Sequence, residues 1–381
     1  MLYLDNSATT PVHPEVIRIM TDVLEKHFGN PSSLHRKGVE AERLLTKSRE
    51  VVAQTLEVEP EEIIFTSGGT EGDNLAIKGI ALEYQNRGKH VITTKIEHPA
   101  VREACSQLEK LGFDVTYLDV NKEGFINIEE LKKSIRKDTI LVSVMQVNNE
   151  VGTIQPIQEI GEILRGYPKV FFHVDAVQGY GKVPIKIKEW GIDLLTISGH
   201  KIHGPKGVGA LYVKKGTTLF PLLAGGGQEV GVRSGTENLP GIVGFAKACQ
   251  IAREISDKKY DEIASLRHKL INKLTKEMPQ VVINGPKGQG ASPYILNLSI
   301  PGLRGEVLVH ALEKEEIFVS TGSACSSKKE ITSPVLTAMG LDPQVKKGSI
   351  RVSFSYNITE KETEDFVVKL KKSVEKLAKM G

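Results

Sequence analysis

The feature that most constrains the fold is a long alternation running from Val91 to Val213. Apolar runs of strand length at residues 91–94, 115–118, 140–147, 170–174 and 194–197 are separated by segments of helical period. One of those helices is opened by Pro99 and closed near Gly112, one is capped by Asn127 with Glu130, and one is opened by Pro156. Strand and helix repeating in this way build a mostly parallel sheet covered by helices on both faces. Ligands of such sheets gather outside the carboxyl ends of the strands, so the residues that follow each run carry the functional information.

Those residues are chemically able. The run at 170–174 ends on Asp175 and Gln178, and the run at 194–197 ends on Ser198, His200 and Lys201 in a loop punctuated by glycine. His98 follows one strand and Asn149 another, so both point to the same crevice. A lysine that can condense with an aldehyde, next to a carboxylate that can keep a pyridine nitrogen protonated, is the pair a pyridoxal phosphate enzyme needs. Taken singly, an Asp and a Lys read equally well as a buried ion pair, and a lone His or Asn as a satisfied loop residue. The shared position of all of them at strand ends favours a site. A second signal is the run 63–66 followed by Ser67-Gly68-Gly69 and a helix start at Thr70, where unpaired N–H groups and the helix dipole suit a phosphate. It matches neither a Walker A loop nor a dinucleotide fingerprint, because Ser67 stands where the first glycine belongs. Thr236 beside Arg233, in the glycine-rich stretch 224–238, offers a further anion pocket.

Outside the alternation, helix patterns begin at Pro14 and run along 41–56, with the polar loop 28–35 between them. Long helix patterns from Pro240 to Met278 bridge into a second α/β segment, with strands expected at 294–300, 317–320 and 349–353 and a last helix capped by Thr359 with Glu362. The expected division is a large domain over 14–255 and a small one made of 1–13 with 256–381. The net charge of +3 over 381 residues gives no footing for nucleic-acid binding. With no signal-like start and no apolar run of membrane length, the cytosol is the expected location. Cys105 and Cys249 lie in apolar helix patterns as packed small hydrophobes, and three scattered cysteines make no metal site. Cys325 differs. It stands in S-T-G-S-A-C-S-S with Lys328 and Lys329 close by, a setting that favours a reactive thiolate over a buried structural cysteine.

Together these stretches resemble the cysteine desulfurases of the NifS/IscS type, pyridoxal phosphate enzymes with the aspartate-aminotransferase fold. The likeness runs along nearly the whole chain, through D-N-S-A-T-T-P, F-G-N-P-S-S-L-H, F-T-S-G-G-T-E, I-E-H-P-A-V, N-N-E-V-G-T-I-Q-P, H-V-D-A-V-Q, S-G-H-K-I-H-G-P-K-G, R-S-G-T-E-N and S-T-G-S-A-C-S-S. The cysteine segment resembles the family's first group, with a long loop. The resemblance implies that Lys201 is the cofactor-bound lysine, Asp175 the partner of the pyridine nitrogen, Gln178 the ligand of the phenolic oxygen and His98 the stacking imidazole. It further implies that Gly69, Thr70, Ser198, His200 and Thr236 hold phosphate, Thr236 from the other subunit of a homodimer. Asn149 and Arg351 then hold the substrate carboxylate with Asn30 nearby, and Cys325 takes the sulfur of L-cysteine as a persulfide, leaving L-alanine. A sulfur-acceptor protein is implied as partner, either an iron–sulfur scaffold or a thiolation enzyme for tRNA or cofactors. Two departures leave the acceptor open: Val230 replaces an arginine in G-Q-E-V-G, and the sequence ends at Gly381 without the docking tail of some relatives. Selenocysteine lyase or an aminotransferase on the same scaffold, and a docking protein without turnover, are the rival readings.

Overall fold

The computed structural model describes residues 1–322 and 333–379, so Cys325 lies outside the described residues. Strand β1 (Leu2–Tyr3) precedes helices α1 (Pro14–Lys26) and α2 (Arg36–Leu56). The alternation then runs β2 (Ile63–Thr66), α3 (Gly69–Glu83), β3 (His90–Thr94), α4 (Pro99–Lys110), β4 (Asp114–Leu118), α5 (Ile128–Ser134), β5 (Thr139–Met145), α6 (Ile157–Leu164), β6 (Phe171–Asp175), β7 (Leu194–Ser198) and β8 (Gly209–Val213). After the long α7 (Leu239–Glu277) come β9 (Val282–Asn284), β10 (Ile295–Ser299), α8 (Gly305–Glu313), β11 (Ile317–Phe318), α9 (Pro334–Ala338), α10 (Pro343–Lys347), β12 (Ser349–Ser353) and α11 (Glu360–Ala378).

Seven strands form the main sheet in the order β2-β8-β7-β6-β5-β3-β4. All neighbours are parallel except that β8 runs against both β7 and β2. Two reversals restore direction, so β2 points the same way as β7. The carboxyl ends of β2, β7, β6, β5 and β3 therefore open on one edge. Alternate residues of each strand feed opposite faces. Phe65, Val142, Val144, Phe172, Val174, Leu195 and Ile197 pack under α1, α2, α6 and α7. Ile64, Leu141, Leu194 and Leu211 pack under α3 and α4, where Cys105 is also buried. Being covered on both sides is why these strands read as unbroken apolar runs.

A separate core lies around the antiparallel sheet β9-β10-β12, covered by α8, α11 and the far half of α7. Helix α7 spans roughly 58 Å at 1.5 Å per residue, so it can belong to both cores. Phe245 and Cys249 pack in the first core, and Ile263, Leu270 and Leu274 in the second. The strand expected at 317–320 is shorter, and Ser320 instead bridges the backbone of Arg351. The N-terminal segment stitches the two cores together: Asn6 Nδ2 donates to Ser353 O (2.9 Å), and Thr10 N donates to His200 O (3.0 Å). No helix among the described residues is long and apolar enough to cross a membrane.

Candidate active site

The strand ends line a cavity of about 600 Å³ whose walls include Ser7, Gly69, Asp73, Glu97, His98, Asn149, Asp175, Gln178, Ser198, Lys201 and Arg351. Asp175 ends β6 and is buried, with Oδ1 accepting from the Val177 N–H (2.9 Å). Burial pushes its carboxyl up to about 6, against the pull of that N–H and of Lys201. Gln178, one turn on, donates from Nε2 to Ser7 O (2.9 Å). Lys201 closes the short turn Gly199–Lys201 after β7, and its Nζ donates to Ser7 O (2.5 Å) and Ala8 O (2.9 Å).

His98 caps α4, its Nδ1 accepting from the Ala100 N–H (3.2 Å), which fixes the ring at the mouth of the helix. Burial, then the charges of Lys201 and Arg102, push it down to about 4, so the imidazole is neutral near pH 7. His200 is likewise pushed down to about 4 by burial and by Lys201, and its Nδ1 lies 3.2 Å from Thr9 Oγ1. Arg351, in the middle of β12, is 3% exposed. Its Nη1 donates to Asn149 O (2.9 Å) and its Nη2 pairs with Asp5 Oδ1 (2.8 Å). Its buried Nε has no partner among the described residues.

At the far wall, Gly68 is the N-cap of α3 with φ +145°, a region that glycine alone enters without strain. A Cβ on Gly69 would lie 2.8 Å from Val177 Cγ2, so backbone N–H groups approach the cavity where a side chain could not. Ser198 Oγ stands beside this turn, buried and without a hydrogen-bond partner among the described residues. An orphaned hydroxyl facing an uncapped helix N-terminus fits a phosphate group. A buried carboxylate at the end of β6, the strand next to β7, fits a ring cation. The donors present therefore suit pyridoxal phosphate.

Two expected residues are elsewhere. Asn30 is exposed and lines an open cleft with Phe28, His35 and Lys37, and Thr236 is exposed outside the cavity wall. Arg233, read from sequence as part of an anion pocket, is engaged by Glu71, with Nε to Oε1 at 2.7 Å. Several residues at the site escaped sequence reasoning. Glu97 accepts from the Met145 N–H (3.0 Å) and Thr94 Oγ1 (2.8 Å) through Oε1, while Oε2 has no partner among the described residues. Burial pushes its carboxyl up to about 8. Burial and Asp175 together raise Asp73 well above the usual carboxylate range. Burial also raises a fourth acid of the cavity wall, Glu150, and between Glu97 and Asp175 it is Asp175 that is ionised at neutral pH. The available signals were adjacency to His98 for Glu97 and helical spacing from Thr70 for Asp73. Nothing in the sequence marked the Ser7 and Ala8 carbonyls.

The class-V aminotransferase model matches residues 2–366. This chain belongs to the class-V aminotransferase family. It is 46% identical over 376 residues to a cysteine desulfurase IscS of Dictyoglomus turgidum, covering 99% of this chain and 95% of the relative. A human cysteine desulfurase is 45% identical over 384 residues, covering 100% of this chain and 83% of its own length. Among solved structures, a NifS-like protein superposes with a TM-score of 0.90 at 40% identity, covering 98% of this chain and 99% of the other. The apo structure of a cysteine desulfurase from Thermococcus onnurineus reaches 0.86 at 27% identity, over 98% and 94%. The family, the NifS-like fold and the helix-covered, mainly parallel sheet expected from sequence are borne out.

Proposed function

We propose that this chain is a cysteine desulfurase that uses pyridoxal 5′-phosphate to convert L-cysteine to L-alanine, passing the sulfur to Cys325 and then to an acceptor protein. The observation that carries the reading is the convergence of Lys201, Asp175, His98 and Arg351 on one cavity, from four elements far apart in sequence. When bound, the cofactor supplies an aldehyde for an amine and a protonated ring that withdraws electrons from the substrate's α-carbon. Asp175 would be the buried carboxylate that holds the ring nitrogen's proton, because burial raises both of its acid neighbours, Glu97 to about 8 and Asp73 well above the usual carboxylate range. His98, uncharged, would lie against the ring face. Gln178 serves the phenolic oxygen, and Gly69, Thr70, Ser198 and His200 serve the phosphate. Thr236 completes that set from the second subunit of a homodimer, which accounts for its exposure in one chain.

Arg351 is buried with its guanidinium oriented by Asp5 and Asn149 O, so it can grip the substrate carboxylate at little entropic cost. Asn149 assists it, with Asn30 near the entrance. Lys201, which would hold the cofactor's aldehyde through Nζ, would take the α-proton at the same atom once free. The Cys325 thiolate forms a bond to the substrate sulfur as the substrate's carbon–sulfur bond breaks. The electron pair left on carbon takes a proton, so L-cysteine and one enzyme thiol become L-alanine and one enzyme persulfide. Residues 14–255 form the cofactor-binding unit, and 1–13 with 256–381 form the unit bearing Arg351 and Cys325. The acceptor is an iron–sulfur scaffold or a thiolation enzyme.

The test is to incubate the yellow holoenzyme with L-cysteine without reductant, count alanine per subunit and weigh the Cys325 peptide. Alanine together with one added sulfur is expected, and Cys325→Ser should keep the colour while losing the persulfide. Transamination of keto acids by the Cys325→Ser protein, with neither product from the parent, would overturn the reading.

A further inference from the structure

Arg233 reaches the phosphate turn through a carboxylate rather than directly. Its Nε donates to Glu71 Oε1 (2.7 Å) and its Nη2 to Glu71 Oε2 (3.3 Å). Glu71 lies in the first turn of α3, next to Thr70, and its Oε2 also accepts from the Ser67 N–H (2.7 Å). One carboxylate therefore joins the glycine-rich stretch 224–238 to the turn that opens α3. A second tie runs beside it. Arg49 donates to both oxygens of Glu229 (2.7 and 2.8 Å), and Glu229 Oε2 also accepts from the Phe65 N–H (2.8 Å). Of the three acids whose charges act on Arg233, Glu71 alone is hydrogen-bonded to it among the described residues; Glu229 is engaged by Arg49, and Glu237 acts at longer range.

Burial raises the Glu71 carboxyl, but the hydrogen bonds from Arg233 and Ser67 outweigh it and hold the group below the usual glutamate range. Glu71 is therefore ionised near neutral pH. A carboxylate in the first turn suits an empty helix end, yet it repels a second anion placed at the same end. The groups assigned to the phosphate cannot absorb that repulsion with charge of their own. Gly69 and Thr70 open the helix, Ser198 offers a hydroxyl, and His200 is neutral near pH 7. None of the four carries a full positive charge, so a neutralised Glu71 matters to a dianion there.

We propose that Arg233 is a positioning residue for the phosphate turn: it neutralises Glu71 and holds that carboxylate on the Ser67 N–H, so the N-terminus of α3 keeps its affinity for the cofactor's phosphate. The inference rests on the phosphate assignment of the proposed function, and its test reads binding rather than turnover. The full chain, stripped of cofactor, is titrated with pyridoxal 5′-phosphate and separately with pyridoxal, followed by visible absorbance. Arg233→Met should weaken binding of the phosphate form about tenfold at low salt and less at high salt, as one uncompensated charge beside a dianion requires. Pyridoxal, which has no phosphate, should lose less than about twofold. Adding Glu71→Gln should restore the phosphate form to within about threefold of the parent, because glutamine accepts from the Ser67 N–H without the charge. An unchanged affinity in Arg233→Met, an equal loss for pyridoxal, or a double variant as weak as the single would overturn the proposal. The last two are what a mere loosening of 224–238 produces. If Arg233→Met does not fold, Glu71→Gln alone decides: it should tighten the phosphate form by about threefold or more at low salt, and no tightening overturns the proposal. A parent that takes up no pyridoxal phosphate would overturn the proposed function itself, so the two failures are distinguishable.

Discussion

Glu97→Gln tests whether a neutral acid stands beside an ionised one in this cavity. The Glu97 carboxyl is raised from 4.5 to about 8, chiefly by burial. The folded protein therefore holds a proton there that the unfolded chain releases between those values. A group raised in this direction contributes stability that is fully present below about pH 4.5 and is lost as pH rises toward about 8. Integrating the two titrations gives a loss of about 2.5 kcal/mol between about pH 5 and about pH 7, with a full span on the order of 5 kcal/mol. Glutamine keeps the shape and an oxygen for the Met145 N–H and Thr94 hydroxyl, yet cannot ionise. Urea unfolding of both proteins at several pH values, cofactor-free and loaded, gives the difference in stability at each pH. The variant should gain on the parent by about 2.5 kcal/mol over that interval. The same substitution should change turnover less than about threefold, because the parent side chain is already neutral at working pH. A stability difference that stays flat from pH 5 to pH 8 would refute the argument that Glu97 is a buried neutral acid.

Asp175→Asn, a change of the same kind two strands over, should instead cut turnover by on the order of 100-fold or more, since the charge proposed to hold the ring nitrogen's proton is gone. The visible spectrum and kcat read this directly. Arg351→Lys should raise KM for L-cysteine about tenfold or more with a smaller change in kcat, because a lysine cannot offer two parallel donors to a carboxylate. Gly68→Ala forces a Cβ onto φ +145°. It should cost about 1–3 kcal/mol of stability and weaken cofactor retention, measured by thermal melts and by cofactor released on dialysis.

Most of the frame was legible along the chain because periodicity and strand ends are local properties. The parallel strands, buried on both faces, announced themselves as apolar runs, and the glycine turn before α3 was marked by its own composition. Asp175, His98 and Lys201 were recognisable because each follows such a run, and the rule that ligands gather at carboxyl ends needs only the order of elements. The reversal of β8 was not legible, since an antiparallel strand buried in the same layer has the same apolar pattern as its parallel neighbours.

What the tertiary structure alone decided is where charge and polarity come together. The N-terminal segment crosses from β12 to the turn after β7, and that path delivers the Ser7 and Ala8 carbonyls to Lys201 across more than half the chain. Asp5 orients Arg351 over a longer separation still, 346 residues. Burial is equally non-local: Glu97, Asp73 and Asp175 are alike as letters. Only the layers of helix and sheet packed around each carboxyl determine which keeps its proton, because desolvation depends on everything nearby in space rather than on neighbours in sequence. The sequence determined which residues stand at the strand ends. The folded chain decided which of them are charged, and which backbone groups they meet.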